Sequence, residues 1–447
     1  MLTGRAVVLF AAGVVLMPLW GVFGLSPWIG LLICVAVLFL LLVVDWSLAA
    51  APRKVRMHRD GALQSRLGET VTVDLHLTHA GKRPLRALVR DAWLPSAGAT
   101  PYAHRISLRP GQSGTVTTTL TPTRRGDRRT DRVTVRAYGP MRLAFRQTRR
   151  KTARRITPQW TLLVLPPFTS RKFLPEKLSK LRQLEGKLAV RGRGQGTEFD
   201  SLREYVDGDD VRSIDWRATA RRDTVVVRTW RPERDRKVVC VVDTGRTSAV
   251  RVADIPRLDA ALDACLLLGA VAARADDRVD MFAVDTDVQS RVTGAHRANI
   301  LPSLVQAMAR LFPRLVETDF SLMVSEVLRA ERKRSLVVLF TALEPAALEH
   351  GLLPVLGALT ARHTVVLATP SDPTVAAMAA PITPGDQRKR GSEAVYARAA
   401  AERALGDRRR IIATMRRAGV EVVDAPADIF ASKVADAYLE LKAAGLL

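Results

Sequence analysis

The sequence predicts a multi-domain protein: an N-terminal transmembrane helical hairpin, then a small β-sandwich, then a doubly wound α/β domain. The first 50 of the 447 residues are nearly free of charge, the next 110 hold short runs of alternating apolar residues, and the remainder alternates apolar runs with amphipathic helices. Alternation of period two is typical of half-buried strands, and strands separated by helices are typical of a parallel sheet. The predicted parts are the anchor 1–50, the β domain 51–160, a connecting segment 161–236 and the α/β domain 237–447.

The predicted anchor consists of two apolar runs, residues 6–24 and 28–44. Each approaches the ~20 residues that a helix needs to cross about 30 Å of hydrocarbon. Basic residues precede the first run and follow the second, so the positive-inside rule places both ends in the cytoplasm. We therefore expect a multi-pass protein of the inner (cytoplasmic) membrane. A signal peptide with a cleavage site near residues 49–51 is the alternative, but its apolar region would be longer than usual.

The net charge of +25 is concentrated in the predicted β domain. Residues 51–160 hold 24 Lys and Arg against 6 Asp and Glu, which gives +18. Basic groups beside an anionic bilayer each gain about 1 kcal/mol, so retention at an anionic membrane surface is the simplest interpretation. Nucleic-acid binding is the weaker alternative, because the basic run 146–155, predicted as a solvated hairpin or linker, lacks aromatic side chains for base stacking.

Strands and helices are predicted from these periodicities in chain order. The β domain has predicted strands at 70–77, 85–89, 105–108, 115–120 and 132–137. In the α/β domain, the predicted strands are 237–243, 278–285, 335–341, 364–369 and 420–423, and the predicted helices are 258–274, 298–311, 320–332, 396–418 and 429–444. Ligands of such sheets bind at the carboxyl ends of the strands, where Asp243 and Thr341 stand.

The connecting segment 161–236 contains one further strand at 160–166, a helix, a glycine-rich loop at 191–196 and a densely charged motif. No strand precedes the glycines, so the loop does not favour nucleotide binding. In the motif, acids alternate with arginines, and we interpret it as a site for docking a partner protein. Its candidate residues are Glu198, Phe199, Leu202, Arg203, Tyr205, Gly208, Asp209, Arg212, Asp215, Trp216 and Arg217.

The acidic cluster within this motif allows a second interpretation. Asp207, Asp209, Asp210 and Asp215 could hold a metal ion for hydrolysis. An arginine lies close in sequence to most of these carboxylates, which favours salt-bridged groups with ordinary ionisation instead.

The motif resembles the signature of the bacterial domain-of-unknown-function 58 family. The resemblance rests on residues 194–217, together with Arg221, Glu233 and the strand ending at Asp243. Further matches lie at residues 122–126, 138–140, 419–425 and 438–442. The resemblance implies a membrane hairpin, a β domain and a von Willebrand factor A-like α/β domain. It also implies that the protein acts with a MoxR-type AAA+ ATPase in the assembly or maturation of client proteins. It implies no enzymatic activity of the protein itself.

The von Willebrand factor A resemblance further implies a place where a divalent cation is often held, and this sequence departs from that pattern. The first loop, residues 243–247, has Gly245 and Thr247 where serines are usual. Thr318 matches the expected threonine, but Ala342 stands where an acid is expected. We therefore expect no tight Mg²⁺ site and no cofactor, and we interpret the loop as degenerate.

The sequence also gives predictions for Asp243 and for the two cysteines of the α/β domain. Without a cation, we interpret Asp243 as a polar residue at a strand end, and Arg246 is the candidate for an ion pair with it. Cys240 and Cys265 fall in apolar runs, so we expect both to pack in the core. No nucleophilic site is predicted.

The leading hypothesis is a membrane-anchored, cytoplasm-facing interaction module that docks onto a MoxR-type ATPase or its client. A metal-dependent hydrolase using residues 207–215 is the first alternative. Nucleic-acid binding by the basic β domain is the second.

Overall fold

The chain divides into two compact units, Met1–Leu165 and Pro166–Leu447. The computed structural model describes residues 2–16, 26–191, 198–221, 224–231, 236–295, 297–380 and 384–446. The division lies five residues beyond the predicted end of the β domain at residue 160. The reason is that Thr161–Leu165, assigned from the sequence to the connecting segment, pairs with a strand of the first unit.

The first unit contains three helices and ten strands among its described residues. The helices are α1 (Gly4–Val15), α2 (Pro27–Leu48) and α3 (Arg150–Ile156). The strands are β1 (Val55–Gly61), β2 (Gln64–Arg66), β3 (Val71–His79), β4 (Leu85–Trp93), β5 (Ala99–Thr100), β6 (Ala103–Leu108), β7 (Ser113–Leu120), β8 (Gly126–Tyr138), β9 (Phe145–Gln147) and β10 (Thr161–Leu165).

One helix in the described part of the chain is long and apolar enough to cross a membrane. The apolar segment Trp28–Lys54, near the N-terminus, contains an 18-residue stretch with a mean hydropathy of 2.8. Helix α1 has only 12 residues, shorter than a bilayer requires. The rest of the first predicted run falls on residues 17–24, which lie outside the described residues.

The strands of the first unit form two sheets packed on a shared core. One sheet has the order β1-β3-β7-β5, and the other has the order β2-β10-β8-β4-β6, with β9 beside β8. Alternate residues point inward, so Leu75 and Leu77 of β3 meet Val89 of β4 and Val133 and Val135 of β8 in one buried cluster. The first unit therefore contains a β-sandwich.

The basic run 146–155 is not a hairpin or a linker. It comprises the end of β9 and most of helix α3. The helix forms because Ala153 is buried and because its carbonyl accepts a hydrogen bond from the Thr157 hydroxyl, at 2.6 Å. Thr157 also accepts the N–H of Val133 at 2.8 Å, which attaches the end of α3 to β8.

Asp45 joins the end of α2 to the β-sandwich. Its side chain is fully buried and accepts the backbone N–H groups of Met141, Leu143 and Ala144 at 2.7–2.8 Å. Gly139 is required here, since its position leaves no room for a Cβ beside the Asp45 carboxylate. The apolar helix thus ends on the loop between β8 and β9.

The second unit contains ten helices and ten strands among its described residues. Its helices are α4 (Leu174–Arg191), α5 (Trp216–Thr219), α6 (Arg257–Arg274), α7 (Ile300–Ala309), α8 (Phe320–Ala330), α9 (Pro345–Ala347), α10 (Leu353–Thr360), α11 (Pro373–Ala379), α12 (Pro384–Arg417) and α13 (Ala427–Ala443). Its strands are β11 (Glu198–Glu204), β12 (Val226–Arg231), β13 (Lys237–Asp243), β14 (Arg251–Val252), β15 (Ile255–Pro256), β16 (Arg278–Val284), β17 (Val288–Val292), β18 (Leu336–Phe340), β19 (Thr364–Ser371) and β20 (Val420–Pro426). Apart from residue 191, the predicted glycine-rich loop lies outside the described residues.

The main sheet of the second unit has six strands in the order β17-β16-β13-β18-β19-β20. Five of them are parallel, and β17 pairs antiparallel to β16 at one edge. Val239 and Val241 pack against α8, α10 and α12, while Cys240 between them lies beside Cys265 of α6. Alternate residues of a strand face opposite sides of its sheet, so Cys240 faces away from Val239 and Val241. Helices therefore cover both faces of the sheet. The doubly wound α/β arrangement is confirmed, as is the burial of both cysteines.

Candidate functional site

The carboxyl ends of three central strands bring acidic and hydroxyl side chains together. Asp243 ends β13 and pairs in register with Val284, so Asp285 follows immediately on the neighbouring strand. Phe340 of β18 pairs with Val242, so Thr341 lies level with Asp243. Parallel pairing thus gathers these polar residues at one sheet edge, where ligands of doubly wound sheets bind.

Asp243 is almost completely buried and is surrounded by hydrogen-bond donors. The hydroxyls of Thr318 and Thr341 donate to its two carboxylate oxygens at 2.5 and 2.7 Å, and Thr247 donates at 3.2 Å. The N–H of Gly245 donates at 2.8 Å. The structure therefore brings together Asp243, Thr247 and Thr318, the three residues of the predicted degenerate cation loop, and adds Thr341.

This arrangement does not fit a divalent cation. Such an ion needs six or more oxygen ligands, several of them usually carboxylates. Here one carboxylate already accepts three hydroxyl protons, and the buried Ala342 supplies no oxygen. Gly245 packs so closely on Thr318 that a serine Cβ at this position would overlap the Thr318 hydroxyl. The cluster therefore holds loops together.

Arg246 does not pair with Asp243, so that prediction is wrong. The Arg246 N–H donates to the carbonyl of Val316 at 2.8 Å, which places its side chain beside the neighbouring Glu317. The guanidinium Nε lies 2.5 Å from the Glu317 carboxylate, and this hydrogen bond raises the pKa of Arg246. Both side chains are largely exposed, so the pair contributes little to stability.

Asp285 organises a second polar network that the sequence analysis missed. Its fully buried carboxylate accepts hydrogen bonds from Thr244, Gln289 and the Asp287 N–H at 3.0–3.1 Å. Arg314 contacts the same carboxylate at 3.1 Å. Burial raises the pKa of Asp285, but the hydrogen bonds outweigh this effect and hold the pKa below its usual value. Its place directly after a buried strand is the signal that could have identified it.

The charged motif forms a β-hairpin in which β11 and β12 pair antiparallel. Leu202 of β11 pairs with Arg228, while Val226 and Val227 of β12 are buried. The connection between the strands carries a 3₁₀ turn and the short helix α5. Of the predicted docking residues, the side chains of Glu198 and Phe199 lie outside the described part of the structure.

Two ion pairs and two caps involve three of the acidic side chains of the hairpin, Asp209, Asp210 and Asp215. Arg203 binds Asp209 through both carboxylate oxygens at 2.5 and 2.7 Å, and Arg228 binds Asp215 at 2.8 Å. These hydrogen bonds lower the pKa values of Asp209 and Asp215. Asp215 also caps α5, and Asp210 caps the 3₁₀ turn.

These contacts do not support the hydrolase alternative. A general acid or base needs a pKa near the working pH, whereas those of Asp209 and Asp215 are lowered. Across the described residues, no group of three or more His, Cys, Asp or Glu side chains could hold a metal ion.

Apolar side chains of the hairpin connection are exposed instead. Trp216 is 66% exposed, and Val206 and Val211 are each 61% exposed. Arg212 and Arg217 are exposed beside them. We name these five residues the hairpin patch. An aromatic residue and arginines on an exposed surface are typical of the centre of a protein interface.

The central part of the chain matches a known family. Residues 201–380 match the family described as "Protein of unknown function DUF58". This match confirms the resemblance predicted from the charged motif. Uncharacterized proteins of Mycobacterium bovis and Mycobacterium tuberculosis are each 27% identical over 184 residues, which is 40% of this chain. The match spans 56%, about half, of the length of these curated relatives.

Several solved structures match about a quarter of the chain. A CARDB domain from Pyrococcus furiosus is 14% identical and covers 26% of this chain and 89% of its own, with a TM-score of 0.19. Native alpha-2-macroglobulin from Escherichia coli is 19% identical and covers 26% of this chain and 17% of its own, also with a TM-score of 0.19. Similarities this weak carry no argument about fold or function.

Proposed function

We propose that this protein is a membrane-anchored interaction module that docks a partner protein on the hairpin patch. The observation that carries the proposal is the exposure of Trp216, Val206 and Val211 on a hairpin whose carboxylates Asp209 and Asp215 are engaged in internal ion pairs. Its ion pairs and caps hold the hairpin in one conformation, so little conformational entropy is lost when a partner binds.

The chemistry of the patch indicates what the partner presents. Arg212 and Arg217 are exposed, and no acidic side chain of the described structure pairs with either. A complementary partner surface therefore offers an apolar pocket for Trp216 with carboxylates around it. We propose a MoxR-type AAA+ ATPase as this partner, or a client protein that it assembles, on the resemblance stated from the sequence.

The second unit is proposed to be a von Willebrand factor A-like domain. Numbered within the main sheet, its strands follow the order 3-2-1-4-5-6, with strand 3 antiparallel at the edge. The meeting of Asp243, Thr247 and Thr318 at the carboxyl ends of the strands supports this proposal, because the resemblance implies loop residues of this kind there. In this chain these residues stabilise the loops, and the hairpin patch is the proposed docking site.

The anchor is proposed to be a two-helix hairpin in the inner membrane, with both soluble units in the cytoplasm. Helix α2 supplies one span. Two contacts support a return of the chain to the same side: the Thr3 N–H donates to the Leu143 carbonyl at 3.0 Å, on the loop that also binds Asp45. The beginning of α1 and the end of α2 therefore meet at one loop.

The docking proposal is tested with full-length protein in detergent and a purified MoxR-type ATPase from the same genome. We expect the ATPase to be captured by the wild-type protein and lost with Trp216→Ala, because burial of a central tryptophan typically contributes about 2 kcal/mol or more. Tyr396→Ala is the matched control, since Tyr396 is an aromatic residue on α12 that is at least as exposed as Trp216. Absence of capture by the wild-type protein, or equal capture by the Trp216 variant, would contradict the proposal.

A further inference from the structure

A basic cavity lies on the outer face of the β-sandwich, in the first unit. Its volume is about 540 Å³, within the range of small-molecule sites. The floor is formed by outward-facing residues of β4 and β8, including Leu88, Ala92 and Thr134. Helix α3 contributes Ala153 to one wall. The exposed aromatic side chain of Tyr102 also lines the cavity.

Four arginines line this cavity against one aspartate. Arg90 comes from β4, Arg132 and Arg136 from β8, and Arg150 from the beginning of α3. Asp131 is the single acidic residue, and it lies 3.6 Å from Arg132. The cavity therefore carries a net charge of +3, concentrated on groups whose planar forks recognise phosphate and carboxylate oxygens.

The charges of Arg90, Arg136 and Arg150 are not neutralised by a carboxylate within the described structure. Arg136 donates to the amide oxygen of Gln147 at 3.2 Å, which is a neutral partner. Arg90 lies 5.9 Å from the Tyr102 ring. No carboxylate of the described residues lies within ion-pair distance of Arg90, Arg136 or Arg150. Like charges gathered in one cavity repel one another, and an anionic ligand removes that cost.

The cavity is close to the end of the apolar helix α2. Arg136 of β8 precedes Gly139 by three residues, which corresponds to about 10 Å at about 3.3 Å per residue of extended chain. Gly139 contacts Asp45 near the end of α2. Gln147 of the cavity follows Arg146, whose guanidinium lies 4.2 Å over the ring of Trp46. Tryptophan near the end of a spanning helix marks the headgroup level of a bilayer. Phospholipid phosphates are therefore the anions nearest to this cavity.

We propose that this cavity binds the phosphate of an anionic phospholipid headgroup. The arginines contact the phosphate oxygens, the apolar floor contacts the glycerol part of the headgroup, and the acyl chains stay in the bilayer. The site lies on the face of the sheet and not at a free strand edge, so a peptide cannot bind it by adding a strand. The proposal rests on the membrane anchoring proposed above, which extraction of native membranes with alkaline carbonate checks independently.

The test measures lipid binding to the full-length protein in detergent by native mass spectrometry. Phosphatidylglycerol and phosphatidylcholine with the same acyl chains are compared. We expect retention of phosphatidylglycerol over phosphatidylcholine, and a loss of about tenfold in Arg90→Gln/Arg150→Gln, since both charge-assisted contacts are removed. The control is Arg86→Gln/Arg129→Gln, which removes the same charge from exposed positions on β4 and β8 outside the cavity.

Several results would overturn the proposal. One is an equal loss of phosphatidylglycerol binding in the cavity and control variants, because it would show that binding depends on the net charge of the protein and not on the cavity. Another is no preference for phosphatidylglycerol in the wild-type protein. Competition arms with glycerol 3-phosphate and with a glutamate-rich peptide distinguish other anions: binding of either one, without phosphatidylglycerol binding, contradicts a lipid site. If carbonate removes the protein from membranes while lipid binding persists, the anchoring proposal fails and the cavity proposal does not.

Discussion

Asp243 shows how one buried carboxylate can organise several loops. It accepts hydrogen bonds from Thr247 in its own loop, from Thr318 before α8 and from Thr341 after β18. The pattern of the sequence identified Asp243, Thr247 and Thr318 as remnants of a cation loop. Their hydrogen bonds show a different role, which is to hold the loops together. Each threonine hydroxyl donates to the Asp243 carboxylate, which would be costly to bury without hydrogen-bond partners.

Gly245 provides the sharpest test at this scale. Gly245→Ser would restore the first serine of the usual cation loop, but its Cβ would overlap the Thr318 hydroxyl. We expect a loss of about 1–3 kcal/mol in the free energy of unfolding, as for other overpacked sites. The measurement is urea denaturation, and the loss should shrink when Thr318→Ala removes the obstructing group.

Gly357→Ser is the matched control, since no atom lies within 4 Å of a Cβ at that position. It should change the stability much less than Gly245→Ser. Equal stability of Gly245→Ser and the wild-type protein would show that the loop relaxes freely and that the close packing is unimportant.

At the scale of elements, the charged motif is a hairpin stabilised by its own side chains. Two of its carboxylates, Asp210 and Asp215, cap helical turns, and two pair with arginines. The sequence analysis favoured salt bridges over catalysis because arginines lie near the acids. Which arginine pairs with which acid depends on the strand register: Asp215 pairs with Arg228, 13 residues away, and not with its neighbour Arg217.

The hairpin should lose its ion pairs in acid. Arg203 and Arg228 lower the pKa values of Asp209 and Asp215 in the folded state. A carboxyl with a lowered folded pKa stabilises the fold fully above its unfolded pKa, about 3.9, and this contribution disappears as the pH falls through the lower folded value. We expect the amide NMR signals of Val206 and Ala218, which donate to these carboxylates, to shift only below about pH 3.9.

Asp215→Asn is the control for this titration. It should abolish the acid shift of the Ala218 signal and leave that of Val206 unchanged, because the two amides report on different carboxylates. A wild-type Ala218 signal that titrates above the ordinary carboxyl pKa would mean that Arg228 does not stabilise the charged form of Asp215.

At the scale of the whole molecule, the proposed attachment to a membrane combines two forces. Helix α2 is apolar apart from Asp45 and Ser47 near its end, and residues 51–160 carry a net charge of +18. The apolar contribution does not depend on salt, whereas attraction to anionic lipids is screened over about 10 Å at 0.1 M salt and about 3 Å at 1 M.

Salt should therefore separate the two forces. We expect a fragment of residues 51–447 to sediment with phosphatidylglycerol vesicles in low salt and to be released at about 1 M salt. The full-length chain should stay with the vesicles under both conditions. Phosphatidylcholine vesicles are the control, since they lack the anionic surface. Release of the full-length chain by salt would show that α2 does not hold it in the bilayer.

Local periodicity was sufficient to predict the class of fold. The run 237–243 was predicted as a buried strand with the bounds that β13 has, because every residue in it is covered. Strand β17 was missed, since it is an edge strand with polar residues on its exposed face. Helix α12 begins 12 residues before its predicted start at 396, because the highly charged segment from Pro384 has no apolar period to mark it.

The sequence by itself determined where the apolar span, the excess charge and the alternating strands lie, since each depends on neighbouring residues. Only the tertiary structure decided which polar groups meet. Asp45 binds the N–H groups of Met141 and Ala144, and Asp243 binds Thr341, with separations of 96 to 99 residues along the chain. Such partners follow from strand order and register, which no local pattern specifies, and the basic cavity exists only because β4, β8 and α3 converge.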